Sequence, residues 1–223
     1  SYFVYQAYPH VQDEAQYLFQ ARYMAAGQLT VKAPAVPEAF SLYMVPYLDD
    51  RWYSIFSPGW PAMLAVGVWA GVEWLVNPVL AGVCILLAYV FFQQVYDRRS
   101  ARIAVILLSC SPWFIFIGMN FMGHMFTLAA ALGGAVILLN SLASRRIWMC
   151  LLAGGLIGVV SLIRPLDGAI VAVLLGITVL AYSITWRRRI LSAAALVSGT
   201  IATASLVLPY DMAVTGNAFV MPI

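Results

Sequence analysis

Charge is what this sequence has least of. Asp, Glu, Lys and Arg make up 9% of the 223 residues against 63% hydrophobic, with one lysine (Lys32) and two histidines (His10 and His124). A mean hydropathy of +0.89 places such a chain in the membrane class rather than among soluble domains of the same length. A net charge of +3, carried by arginines clustered beside apolar runs, excludes nucleic acid as a partner. Three cysteines, Cys84, Cys110 and Cys150, show neither metal-ligand nor redox spacing and read as small buried hydrophobes. Gly-rich phosphate loops, a serine nucleophile elbow and a zinc-protease helix motif are all missing, which argues against soluble nucleotide chemistry. No internal repeat, low-complexity tract or signal peptide is visible, and the ends at Ser1 and Ile223 read as those of a fragment.

What is present is a series of long apolar runs. From Val79 onward six are expected to span a bilayer: Val79–Tyr96, Ile103–Phe121, His124–Leu142, Trp148–Ile163, Leu166–Trp186 and Ile190–Leu208. Most reach the roughly 17 to 25 residues a spanning helix needs, and Trp148–Ile163 is about one short. Arg98, Arg99 and Arg102, then Arg145 and Arg146, then Arg187, Arg188 and Arg189 are separated by two spans each, so all fall on one side. The bias of arginine toward inner loops assigns that side to the cytoplasm, where Asp97 is the one acid.

The apolar segment Pro61–Val76, flanked by Trp60, Trp69 and Trp74, decides the sidedness of everything before it. Sixteen residues cover only about 24 Å as a helix, so we read it as an interfacial juxtamembrane helix. Residues 1–78 are then an extracytoplasmic loop, 79–208 a six-span bundle, and 209–223 the start of a further outer loop. The outer side receives Arg22, Lys32, Arg51 and Arg164 against eight acids: Asp13, Glu14, Glu38, Asp49, Asp50, Glu73, Asp167 and Asp211. Acids do not themselves set topology, so their concentration there points to an outward-facing active site in a plasma or inner membrane.

The densest group of ionisable residues is Pro9–Tyr17. Asp13 is expected to cap a helix running to about Ala26, with Gln16 completing a box-like pair and Gly27 ending it. A carboxylate at a helix N-terminus stays ionised, which suits a general base, and the adjacent Glu14 can assist it or hold a cation. The three prolines of Pro34–Pro46 predict extended chain. Tyr17, Trp52 and Tyr53 offer flat apolar faces suited to sugar rings, although aromatic belts at a membrane surface, Trp60 included, need no ligand. Arg51 and Arg164 can meet a phosphate in two-point geometry, and Arg164 can equally pair with Asp167. His10, Glu14 and His124 together form a candidate divalent-cation set.

The motifs Asp13-Glu14-Ala15-Gln16-Tyr17, Arg51-Trp52-Tyr53-Ser54, Ser57-Pro58-Gly59-Trp60-Pro61, Leu162-Ile163-Arg164-Pro165 and Pro209-Tyr210-Asp211, in this order and with the run Gly118–Leu128 between them, resemble one family. It is the GT-C fold of polytopic, lipid-linked-sugar glycosyltransferases, the protein mannosyltransferase and aminoarabinose transferase group. The resemblance implies an all-α polytopic bundle whose first outer loop holds a catalytic aspartate at Asp13, assisted by Glu14. It also implies a polyprenyl-phosphate sugar donor bound among membrane helices and an acceptor that is a glycan, lipid or protein. Relatives carry an acidic residue near the span that here has Asn120 and His124, and many carry Asn where this chain has Asp211. A lipid phosphate leaves as a stabilised anion, so such an enzyme needs a base, positioning and positive charge more than a general acid. The alternative is a polytopic transporter or lipid flippase, and a third reading is an assembly subunit. Transporters commonly bury ionisable groups near the bilayer midplane, whereas here every charge falls near a span end or in a loop.

Overall fold

A computed structural model describes residues 1–40, 44–48, 50–182 and 185–222. Asp49, counted above among the outer acids, lies outside the described residues. The chain is mostly helical and divides into two compact units.

The first unit comprises Ser1–Pro78, Met119–Met122 and Leu206–Ile223. After a single turn of helix, α1 (Tyr2–Tyr5), comes α2 (Gln12–Ala25), which ends as the sequence predicts. Gly27 takes a left-handed φ of +74°, its N–H donates to Met24 O, and the Gln28 N–H donates to Tyr23 O, the paired bonds of a Schellman stop. Its beginning differs, for the cap position belongs to Val11, and Asp13 sits inside the first turn without capping. Three two-residue strands follow: β1 (Val31–Lys32), β2 (Tyr47–Leu48) and β3 (Arg51–Trp52), antiparallel in the order β1-β3-β2. Within the stretch expected to be extended, Pro37–Phe40 instead forms a 3-10 turn, for which the fixed φ of proline is suited at the first position.

The helix expected over Pro61–Val76 is α3 (Gly59–Trp69), eleven residues and about 16 Å long, too short for a hydrocarbon core of about 30 Å. A turn at Gly71, φ +70°, stops it, and a 3-10 turn at Glu73–Leu75 leads into α4 (Val76–Val95). Gly67 allows that reversal, because a Cβ there would collide with the Val76 side chain and lie 3.0 Å from Glu73 Cα. Trp60 is not an interfacial anchor: it is 1% exposed and its Nε1 donates to Phe121 O at 2.7 Å. Asn77 donates from one amide nitrogen to Asn120 O and Met122 O, at 2.6 and 2.8 Å. Three successive carbonyls of a non-helical segment are thus satisfied by side chains, the condition for burying irregular backbone.

The second unit comprises Val79–Gly118 and Gly123–Ser205. Its helices after α4 are α5 (Arg98–Ser109), α6 (Pro112–Ile117), α7 (His124–Ser144), α8 (Ile147–Ile163), α9 (Pro165–Tyr182) and α10 (Trp186–Ala204). Back in the first unit, α11 covers Val207–Thr215. The expected span Ile103–Phe121 is therefore not one helix. Pro112 cannot donate to the preceding turn, Ser111 before it is extended, and the chain restarts as α6. Cys110, at the end of α5, is exposed, whereas Cys84 and Cys150 are buried as expected.

Among the described residues four stretches are long and apolar enough to cross a membrane: Glu73–Val95, His124–Ser144, Pro165–Tyr182 and Trp186–Thr215. The shorter α8 is the centre of the second unit. Cys150, Ala153 and Ile157 on α8 pack with Leu138 of α7, Val179 of α9 and Leu196 of α10 into a fully buried core. Glycines set the spacing, since a Cβ on Gly154 would strike Leu196 O and one on Gly199 would strike Leu151 O. Gly154 faces Leu196 and Thr200 while Gly158 faces Thr203 and Ala204, so α8 and α10 run parallel with backbones in contact, the small-residue packing of membrane helices.

Parallel α8 and α10 put Arg146 and Arg187 at one end of this unit, and Arg188 Nη2 donates to Arg145 O at 3.3 Å. Gln94 Nε2 at the end of α4 donates to Asn140 Oδ1 near the end of α7, at 3.0 Å, which brings the Asp97–Arg102 turn to the same end. The three arginine clusters that the sequence places together do lie together. Arg164 is at the other end of α8, seventeen residues or about 25 Å away.

Candidate functional site

In the first unit the site candidates collect around the start of α2. His10 precedes the helix; its ring is exposed, packs edge-on against Tyr5 at 4.8 Å between centroids, and lies 3.1 Å from Tyr5 O. Its backbone N–H donates to Glu14 Oε2 at 2.9 Å, and Glu14 is 2% exposed. Glu14 thus does the tying-down expected of Asp13, because Val11 is extended and the helix starts two residues early. Asp13 is left half-buried in the first turn, with no hydrogen bond or ion pair among the described residues.

Behind this turn the buried face of α2 is polar. Gln16 and Gln20 are nearly fully buried, and Gln20 Nε2 donates to Phe56 O at 3.1 Å and to the Tyr210 hydroxyl at 2.9 Å. The Tyr23 hydroxyl accepts from the Ser54 N–H at 3.4 Å and bonds to Tyr210; burial pushes its pKa up to about 12. Tyr53, Tyr210 and Val214 form a small core beside this network. Gln16 and Tyr210 stand in the motifs quoted above without this role and Gln20 stands in none; the signal that could have revealed the network was the run of uncharged polar residues on a helix otherwise expected to bury an apolar stripe.

The aromatic candidates are occupied by the fold. Tyr17 packs on Phe56 at 4.4 Å and Trp52 on Phe19 at 4.8 Å, each half-buried, while Tyr53 is 5% exposed. Arg51, on β3, is exposed, and its Nη1 reaches Ala213 O at 3.5 Å, a long contact. Lys32 and Asp50 form an exposed pair at 3.8 Å that contributes little. Asp211 is 4% exposed on α11, and among the described residues its carboxylate has no partner.

In the second unit His124 starts α7, with its Nδ1 buried and without a hydrogen-bond partner among the described residues. Arg164 ends α8 and is paired with Asp167 at 3.4 Å, the local pairing the sequence allowed for. Both residues lie within electrostatic reach of His124. Among the described residues no group of three or more His, Cys, Asp or Glu side chains is placed to hold a metal ion. Of the expected cation set, Glu14 accepts from the His10 N–H and the His10 ring lies against Tyr5, while His124 belongs to the other unit.

The arrangement in the first unit can do one thing chemically: present a carboxylate that has no hydrogen bond or ion pair among the described residues, at a helix start tied down by Glu14. Comparison with protein-family models, with curated proteins and with solved structures finds no match to this chain.

Proposed function

We propose that this chain is the catalytic part of a membrane glycosyltransferase that moves a sugar from a polyprenyl-phosphate donor to an acceptor on the extracytoplasmic side. What carries the reading is the division of labour at the start of α2. Glu14 is buried and spent on the backbone, whereas Asp13 is half-exposed and without a partner among the described residues. The GT-C resemblance of the motifs around it supplies the substrate class.

In this mechanism the acceptor hydroxyl gives its proton to Asp13 as its oxygen bonds to the sugar C1. The C1–O bond to the lipid phosphate breaks, and its electron pair leaves on the polyprenyl phosphate, with inversion at C1. Arg51, in the same unit as Asp13, is the cation assigned to the departing phosphate; a two-point guanidinium contact suits it. No step is routed through a metal.

The test is Asp13→Asn in the full-length protein, assayed for sugar transfer from a polyprenyl-phosphate donor. Loss of a positioned base lowers turnover by about 10²- to 10⁴-fold. Undiminished transfer would sink the assignment, and a wild type that transfers from no such donor would favour the transporter or flippase. A cysteine at Gln28, exposed after α2, should label only from outside the cell.

A further inference from the structure

A second polar site lies in the other unit, at the end where the arginines gather. Arg145 and Arg146 form the turn from α7 to α8, and Arg145 is held in a left-handed conformation, φ +59°. The turn is fixed from two sides: Ser141 Oγ donates to Arg146 O at 2.8 Å, and Arg188, from the first turn of α10, donates to Arg145 O at 3.3 Å. Between these elements is a small cleft of about 20 Å³, open at its mouth and lined by Arg145, Tyr182, Arg188, Ser141 and Ser192 together with Leu142 and Ile147.

The polar part of the lining carries charge of one sign. Beside the apolar Leu142 and Ile147 it holds Arg145, Arg188 and the hydroxyl residues Tyr182 and Ser192, and among the described residues no acid lines it. The Ser141 hydroxyl proton is already committed to a carbonyl. Among the described residues no acid pairs with Arg145 or Arg188. Arg187, Arg188 and Arg189 occupy the first turn of α10, the end at which the helix dipole disfavours cations. Positive-inside bias alone asks only for arginines in the loop. It does not explain a half-buried Arg188 reaching across to the Arg145 carbonyl and closing a donor-rich cleft.

We propose that this cleft binds a phosphate group, taken either from the headgroup of an anionic phospholipid in the adjacent leaflet or from free phosphate. A phosphodiester accepts from two guanidinium forks and a hydroxyl at once, and basic pockets between membrane helices on this side suit anionic headgroups. The site does not depend on the glycosyl-transfer reading.

The experiment uses the full chain reconstituted in phosphatidylcholine nanodiscs with and without phosphatidylglycerol, with retained lipid read by native mass spectrometry. Arg145→Asn removes the guanidinium while keeping a residue that tolerates the left-handed turn, so folding is preserved. Arg188→Gln removes the other fork, and Arg99→Gln, an arginine outside the cleft at the same end, is the control. Selective retention of phosphatidylglycerol that falls about tenfold in each cleft variant and not in Arg99→Gln supports a headgroup site. If phosphatidylglycerol is not retained but inorganic phosphate raises the Tm of the wild type and not of the Arg145→Asn protein, the same site is filled from water. Equal loss in Arg99→Gln, or no response to either probe, overturns the proposal.

Discussion

The Gln20 amide donates to the Tyr210 hydroxyl at 2.9 Å, joining side chains 190 residues apart. Because the Tyr23 hydroxyl bonds to the same Tyr210 oxygen, one phenol ties both ends of the first unit's sequence to α2. Tyr210→Phe should destabilise the protein by about 1 to 2 kcal/mol, as a buried donor loses its acceptor. Gln20→Leu should cost more, because its bond to Phe56 O goes as well. The double variant should show a coupling of about 0.5 to 1.5 kcal/mol in denaturation of the full chain in detergent. Strict additivity would mean that the two side chains do not share this bond.

The Tyr23 phenol gives stability a dependence on alkaline pH. Burial raises its pKa from 10.0 to about 12, so between these values the folded state holds a proton that the unfolded chain has lost. This contribution is fully present below pH 10 and is lost as the pH rises toward 12, at up to about 1.4 kcal/mol per pH unit. Tyr23→Phe should flatten that part of the curve, and phenolate absorbance should show one late-titrating tyrosine fewer. A wild-type profile unchanged by the substitution would place the phenol in water.

Much of the second unit was legible because its signals are one-dimensional. Apolar runs separated by arginines have a definite parity, and that parity puts Arg102, Arg146 and Arg187 at one end, where hydrogen bonds such as Gln94 to Asn140 now hold the helix ends together. The stop at Gly27 was legible for a similar reason, since a glycine just after a helical run is a local signal for a left-handed stop. Counting hydropathy could not see the break at Ser111-Pro112, because both flanks are equally apolar and only the missing N–H interrupts them. It was equally blind to Trp60, which the sequence placed in an aromatic belt and which is buried to cap Phe121 O. Partners 61 residues apart leave no mark on a local pattern. At the start of α2 the capping expected of Asp13 passes to Glu14, because the extended Val11, not the carboxylate, sets where the helix begins.

That shift makes Glu14 testable apart from Asp13. Glu14→Ala removes the acceptor for the His10 N–H and should lower stability by about 1 to 2 kcal/mol. Glu14→Gln keeps an acceptor oxygen and should restore most of that stability and most of the transfer activity. Asp13→Asn should show the opposite pattern, with an unchanged Tm and lost turnover. A Glu14→Gln protein of normal Tm that transfers no sugar would give Glu14 a chemical part.

Glycines separate packing from helix propensity within the second unit. Gly199 lies on α10 where a Cβ would strike Leu151 O and sit 2.9 Å from Gly155 N, and backbone atoms of α8 cannot turn aside as a side chain could. Gly199→Ala should therefore destabilise by about 1 to 3 kcal/mol, as overpacking does. Gly176, in the middle of α9, has nothing within 4 Å of a Cβ, so alanine there meets no obstacle. Gly176→Ala should stabilise by about 0.5 to 1 kcal/mol through helix propensity alone. Both substitutions add one methyl group to an apolar helix, so hydropathy predicts the same small effect for each. Opposite signs in unfolding measurements on the two proteins would confirm that α8 and α10 meet backbone to backbone. Equal effects would mean that the α8–α10 pair, on which the cleft between Arg145 and Arg188 is built, is more widely spaced than these contacts require.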